Sequence, residues 1–148
     1  MSQPYPLVEV AVVVITDAQG RFLADYNEAW GGFTLPMSSL HDVPARVPVD
    51  KPTPESPQNA AIRAAAEVLG RPVSPGALVP LNIEVAPWNQ SGRDGQWKRY
   101  QYRLFQLKID FAPQPLPGHA AVWLTRAELG TLEPISLTVR VILRALPA

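Results

Sequence analysis

The chain predicts an α/β fold, with a mixed sheet and helices packed on both faces. Three stretches carry that expectation. Residues 8–15 are a β-branched apolar run, residues 56–70 are a punctuated helix, and residues 81–109 form two strands ahead of an amphipathic C-terminal helix. Helices and strands that interleave along a chain this way pack as layers around one sheet. At 148 residues the chain is expected to form one domain, spanning residues 1–148, with enough length for a substantial core.

Taken in order, VEVAVVVI at residues 8–15 reads as a buried strand. Asp17-Ala-Gln-Gly20 has turn chemistry and returns residues 21–26 as a second strand. Trp30-Gly-Gly-Phe-Thr-Leu-Pro36 leads into another short strand. Between residues 38 and 54, Pro44, Pro48, Pro52 and Pro54 remove backbone donors and disfavour helical geometry in the residues before them. That stretch is expected to be an irregular, semi-extended loop. In the next helix Ser56 caps the start, Pro57 suits the first turn, and Gly70 with Pro72 supplies the stop. Ile62, Ala65 and Leu69 form its apolar stripe with Ala66 beside it, while Arg63 and Glu67 lie one turn apart on another side.

A strand centred on residues 81–85, a turn at 89–95 and a long strand over 97–109 make a hairpin. Residues 113–118 form a loop into a short strand at 120–124. Thr125 and Glu128 have capping-box spacing for a short helix. Ser136 is placed to cap a final helix on which Val139, Ile142, Leu143 and Leu146 share a face.

Thirteen basic residues balance thirteen acidic ones, so no net field draws the chain toward nucleic acid or an anionic membrane. The absence of cysteine excludes disulfides, thiolate metal sites and a cysteine nucleophile. The two histidines, His41 and His119, lie far apart and give no local zinc spacing. Both read most simply as loop or strand-edge residues. The apolar run at residues 7–15 is too short to span a bilayer, and Glu9 within it makes a poor signal peptide. A cytoplasmic protein is expected.

Taken together, these stretches resemble the Nudix hydrolase family almost end to end. Asp17-x-x-Gly20-Arg21-x-Leu23 resembles its opening hairpin, and Trp30 to Pro36 the strand that leads into its signature. Val122-Trp-Leu-Thr125 with Glu128-Leu129 and the final helix resembles its usual ending. The signature, G-x5-E-x7-R-E-U-x-E-E-x-G-U with U a bulky apolar residue, is matched in its second half by Glu55, Arg63, Glu67 and Gly70. The resemblance implies a Nudix-like α/β/α sandwich with a central mixed sheet. It also implies hydrolysis of nucleoside diphosphate derivatives with Mg²⁺ or Mn²⁺, and assigns catalytic roles to Glu55, Arg63 and Glu67, with Glu67 as metal ligand.

The departures lie where that chemistry resides. Ala64 and Val68 replace two of the three glutamates on the helix face, and Arg71 stands where an apolar residue is expected. Met37-Ser38 follows Leu35-Pro36 where the family usually has two glycines. Ser38 precedes Glu55 by 17 positions (55 − 38) where six are expected, so about 11 residues are inserted in the proline-rich stretch. One carboxylate can hold a magnesium ion when substrate phosphates supply other ligands, whereas multi-metal catalysis needs more. Hydrolysis is therefore expected to be impaired or absent. Asp42, Asp50, Glu84 and Asp94 are candidates by residue type to replace the lost carboxylates.

Each singled-out residue also has a plainer reading. Arg63 and Glu67 at i, i+4 make an ordinary helix ion pair, worth about 0.2–0.5 kcal/mol, and Glu55 can favour the positive end of the helix. On the long strand Trp97, Arg99 and Arg103 share a face with Gln101. They can stack a base and grip a phosphate, or they can simply meet solvent. Two classes therefore stand: a divergent hydrolase, and a non-catalytic Nudix-fold module that binds a nucleotide-like small molecule or a protein partner. A homodimer indifferent to nucleotide and metal would mark a third, structural role.

Overall fold

The central strand β1 (Leu7–Thr16) decides how the layers form. Its residues from Val10 to Ile15 are at most 6% exposed, so both of its faces are buried. By period-two alternation Val8, Val10, Val12 and Val14 enter one core, and Ala11, Val13 and Ile15 the other. Burying a valine or isoleucine contributes roughly 1.5–3 kcal/mol, so a strand covered on both sides is a strong organiser.

The computed structural model describes residues 7–27, 32–40, 42–43, 53–54, 56–91, 97–131 and 137–146. Among these, the sheet runs β3 (Gly32–Thr34), β2 (Phe22–Asn27), β1, β8 (Trp97–Lys108), β7 (Val79–Ser91). β4 (Met37–Ser39) also pairs with β1, and β9 (Ala121–Leu124) with β2. The β1–β8 pair is parallel and the other pairs are antiparallel. One face carries α1 (Pro57–Leu69), whose Ala60, Ala61, Ala65, Val68 and Leu69 pack against Val13, Leu23, Phe105 and Leu107. The other carries α2 (Arg126–Thr131) and α3 (Leu137–Ala145), with Leu129, Val139, Ile142 and Leu143 against Val12, Ala24 and Leu104. The architecture is the expected α/β/α sandwich with a mixed sheet. No helix among the described residues is long and apolar enough to cross a membrane.

The edge of β1 nearest β2 has two partners. Thr16 pairs with Phe22 of β2, while Val10 to Val12 pair with Ser39 to Met37 of β4. The edge therefore forks between β2 and β4, and α1 packs against β4.

Several expectations are corrected. Residues 38–54 are not a loop throughout, because Ser38 and Ser39 belong to β4. Further on, β5 (Asp42–Val43) and β6 (Thr53–Pro54) form a short antiparallel ladder, Val43 opposite Thr53, that brings the ends of the intervening stretch together. Proline 54 is tolerated there because a two-stranded ladder consists of edges. The buried stripe of α1 is also rotated: Ala61, Ala64, Ala65, Val68 and Leu69 are buried, while Ile62 and Ala66 are half-buried. The turn expected at 89–95 is corrected at its start, because Asn89, Gln90 and Ser91 pair with β8 as the end of β7, and residues 44–52, Glu55, 92–96 and Ser136 lie outside the described residues.

The capping box forms as expected. The Glu128 amide donates to Thr125 Oγ1 at 3.1 Å, and the Thr125 amide donates to Glu128 Oε1 at 2.9 Å. Arg126 donates to the carbonyls of Leu143 and Leu146, so α2 satisfies orphan acceptors at the end of α3. The hydrogen bonds from Thr125, aided by the charge of Arg21, hold the Glu128 carboxyl below its ordinary value of 4.5. A depressed carboxyl adds stability above its unfolded pKa and loses it as pH falls through the folded value. The gap in unfolding midpoint between the wild type and Glu128→Gln is thus expected to be widest near neutral pH and to close progressively below 4.5. Thermal melts across that range check it; a constant gap would show that the charge contributes nothing.

A second expectation follows from the β5–β6 ladder. Replacing residues 44–52 by Asn-Gly, between Val43 and Thr53, supplies a two-residue hairpin turn. The chain should fold, with stability raised on the order of 1 kcal/mol by the shorter closure. Denaturant unfolding measures this, and a loss of cooperative unfolding would show that the ladder does not close the insertion.

Candidate active site

The site is built from the two ends of α1. Ser56 Oγ accepts from the Asn59 amide at 3.2 Å, and Pro57 opens the first turn. At the other end Gly70 adopts a left-handed φ of 73°, with its amide donating to Ala66 O at 2.8 Å. Glycine is required there twice over. A side chain would be strained at that φ, and an added Cβ would stand 1.7 Å from the carbonyl oxygen of Gln114.

That close approach matters because the last turn of any helix leaves carbonyls without partners. Here they are taken by the segment before β9. The Gln114 amide donates to Leu69 O and the Leu116 amide to Glu67 O, both at 3.0 Å. The His119 amide then closes a turn onto Leu116 O at 3.1 Å. The segment is thus pinned to α1, and it sets the His119 ring beside Glu67. Arg71, the departure from the signature just past the cap, lays its guanidinium over the Phe111 ring at 3.6 Å. Its flat face covers an aromatic residue of the α1-side core, in place of the expected alkyl group.

Asp25 of β2 completes the arrangement. It shares the inward, α1-facing side of the strand with Leu23 and is 7% exposed. Its Oδ1 accepts from the Ala120 amide at 3.0 Å, and its Oδ2 lies 2.7 Å from His119 Nδ1. A carboxylate can only accept, so His119 donates from Nδ1. The opposite ring nitrogen, Nε2, stands 3.4 Å from Glu67 Oε2. Asp25, His119 and Glu67 therefore form a line running from a buried carboxylate to a partly exposed one.

Arg63 points to the other arm of the fork. Its Nη2 donates to Ser38 Oγ at 2.7 Å and to Ser39 O at 3.2 Å, both in β4. These contacts of Arg63, and that of Glu67 with His119, are to different elements. Ala64 is 5% exposed and Val68 fully buried, so both glutamate replacements face the protein interior.

On β8, Trp97 is 53% exposed, and Arg103 pairs with Glu9 across the parallel ladder at 3.2 Å. Ser38, Ala11 and Arg103 are successive register partners across β4, β1 and β8. With strands about 4.8 Å apart, Arg103 is roughly 10 Å from Ser38 along that row. Arg99 follows four residues nearer the start of the strand, opposite Leu7. Tyr102 and Leu104 are buried in the opposite core, as the alternation predicts.

The site is α1 with the β4 strand at Arg63 and the β2–β9 edge at Glu67, on a mixed sheet sandwiched by helices. Solved structures share the overall fold. A MutT protein from Methanosarcina mazei Go1 superposes with a TM-score of 0.67 at 16% identity, covering 97% of this chain and 94% of its own. The dihydroneopterin triphosphate pyrophosphohydrolase of E. coli gives 0.66 at 18%, covering 96% of each chain. The chain has the Nudix fold. A C. elegans Ap4A hydrolase, in a binary complex, gives 0.65 at 18%, covering 93% of each chain. No protein-family model matches the sequence, and neither does any curated protein.

Within this Nudix fold, the structure brings Arg63 to β4 and Glu67 to His119 ahead of β9, and leaves Trp97, Arg99 and Arg103 along β8. Glu55, His41, Asp50 and Asp94 lie outside the described residues, as do the side chains of Asp42 and Glu84. The sequence reading missed Asp25 and assigned His119 to a plain loop edge. One signal was present: alternation puts Asp25 on the face of Leu23, where a charge must find partners.

Gly70→Ala is expected to cost at least about 1–2 kcal/mol from the left-handed conformation alone. The clash with Gln114 adds to that. For a chain of this size, each kcal/mol corresponds to about 2–4 °C in Tm. The same variant should shift the His119 ring resonances, because the segment carrying His119 is what the new Cβ displaces. An unchanged Tm would refute the close approach.

Proposed function

We propose that this Nudix-fold chain binds a nucleoside diphosphate-type small molecule beside α1, with hydrolysis impaired or absent. The observation that carries the proposal is the burial of Ala64 and Val68. The surviving carboxylate of α1 is Glu67, and the two missing ones are replaced by alkyl groups turned into the protein. The family's metal chemistry gathers Mg²⁺ or Mn²⁺ on several carboxylates of one helical face. Among the described residues no group of three or more His, Asp or Glu side chains is placed to hold a metal ion. The residues present therefore do not fit a multi-magnesium centre, and no hydrolytic step is routed through one.

What remains is suited to binding. Arg103 and Arg99 offer guanidinium groups to phosphate oxygens, and Trp97 offers an exposed ring to a base. Arg63, bonded to Ser38 and Ser39, fixes the spacing between α1 and β4. Glu55 supports the approach to α1 in this proposal, at its positive end. The proposal takes residues 1–148 as one cytoplasmic domain without membrane or nucleic-acid partners.

Two structural neighbours are named for phosphorylated substrates, Ap4A and dihydroneopterin triphosphate. These, with nucleoside diphosphate sugars, are the natural probes. At least one should raise Tm, and Arg103→Ala should reduce that rise by weakening the contact. Turnover with Mg²⁺ or Mn²⁺ should fall well below the usual range of about 1–10³ s⁻¹. Turnover within that range and lost in Glu67→Ala would overturn the impaired-hydrolysis part. Absence of stabilisation by every probe would overturn the ligand part.

A further inference from the structure

A carboxylate stands among the arginines of the open sheet surface. By alternation Glu9 lies on the α1-facing side of β1 with Leu7, Ala11, Val13 and Ile15, and it carries the one charge on that side of the strand. Ala11 is fully buried, whereas the Glu9 side chain is 33% and Leu7 46% exposed, so the apolar cover ends between Ala11 and Glu9. Across the parallel ladder the same side carries Arg99, Gln101 and Arg103, opposite Leu7, Glu9 and Ala11. Residues two apart on a strand are about 6.6 Å apart, which puts Glu9 midway between the row of Arg99 and the row of Arg103. The charges read plus, minus, plus along the uncovered part of the sheet.

Arg103 Nη2 donates to Glu9 Oε1 at 3.2 Å, and Glu9 Oε2 has no partner among the described residues. An ion pair this exposed contributes little to stability, so its consequence lies in which ligands it admits. A phosphate bonded to Arg103 lies close to the Glu9 carboxylate, and a further phosphate laid toward Arg99 meets that carboxylate directly. Like charges brought together on binding oppose it. A carboxylate accepts hydrogen bonds and cannot donate, so the group that suits this position is neutral and supplies hydroxyl or N–H donors. Gln101, opposite Glu9, adds a neutral carboxamide that both donates and accepts.

We infer that Glu9 makes this surface selective for a diphosphate joined to a neutral, hydroxyl-bearing group, the chemistry of a nucleoside diphosphate sugar, and against a terminal phosphate or a longer polyphosphate chain. The inference rests on the phosphate contact proposed above for Arg103. Arg103 holds an oxygen of the diphosphate, and Glu9 Oε2 accepts from hydroxyls of the attached group. Selectivity then comes from what the carboxylate repels as much as from what it holds.

Matched probes take the base out of the comparison. UDP-glucose, UDP and UTP differ only beyond the nucleoside, as do ADP-ribose, ADP and ATP. Isothermal titration in metal-free buffer gives each Kd for the wild type and for Glu9→Gln, which keeps the size of the side chain and removes its charge. Thermal melts without ligand establish that the variant is folded. At least one nucleotide sugar is expected to bind the wild type at least about tenfold more tightly than its own nucleoside triphosphate. A grip made of arginines alone would rank them the other way, because the triphosphate carries more charge. Glu9→Gln should strengthen the triphosphate and weaken the sugar, so that the preference disappears. A merely structural ion pair would leave that ratio unmoved. A wild type that prefers the triphosphates, or a preference unchanged in folded Glu9→Gln, would overturn the assignment while leaving phosphate binding intact. If no member of either series binds, the binding reading and this refinement fall together.

Discussion

The unpaired carbonyls at the end of α1 are the constraint on which the site depends. A helix that stops inside a protein must give those acceptors donors. Gly70 turns the chain out of their way, and the amides of Gln114 and Leu116 take their place. Everything beyond follows from that docking: the turn through His119, the amide of Ala120 on Asp25, and the start of β9 beside β2. Backbone hydrogen bonding at one helix terminus thus sets the distance between side chains that are 52 residues apart in sequence, from Glu67 to His119 (119 − 67).

Fold and chemistry separate along α1. Its alanines bring the helix close to the sheet, and Val68 adds apolar volume to the core. Ala64 and Val68 both contribute to buried apolar contact. Alkyl groups at these buried positions avoid the desolvation cost that a charge there would carry. The helix combines capping at both ends with an apolar, alanine-rich contact face, and carries Arg63 and Glu67 on its half-buried sides.

The layers were legible in the sequence because they rest on periodicity. The valines of β1, the alternation of β8 and the apolar face of α3 appear where the pattern puts them, and the caps at Ser56, Gly70 and Thr125 form with the expected partners. The misreadings came from long-range contacts. The face of α1 shifted because the helix meets β1, β4 and β8 together, which periodicity within the helix does not convey. The ladder of β5 and β6 pairs residues on either side of a proline-rich stretch, and local propensity argued against any strand there. His119 and Asp25 come together only through the docking at Gly70. No local motif joins them, although a charge on the inner face of β2 was a visible anomaly.

The β5–β6 ladder also separates distance along the chain from distance in space. Ser38 and Arg63 stand 25 positions apart, yet their side chains bond at 2.7 Å, and the pairing of Val43 with Thr53 shortens part of that interval in space. A motif defined by fixed intervals counts every residue of such an excursion, whereas the folded site counts none. Intervals along a chain are therefore a poor guide to which side chains meet when a ladder of this kind lies between them.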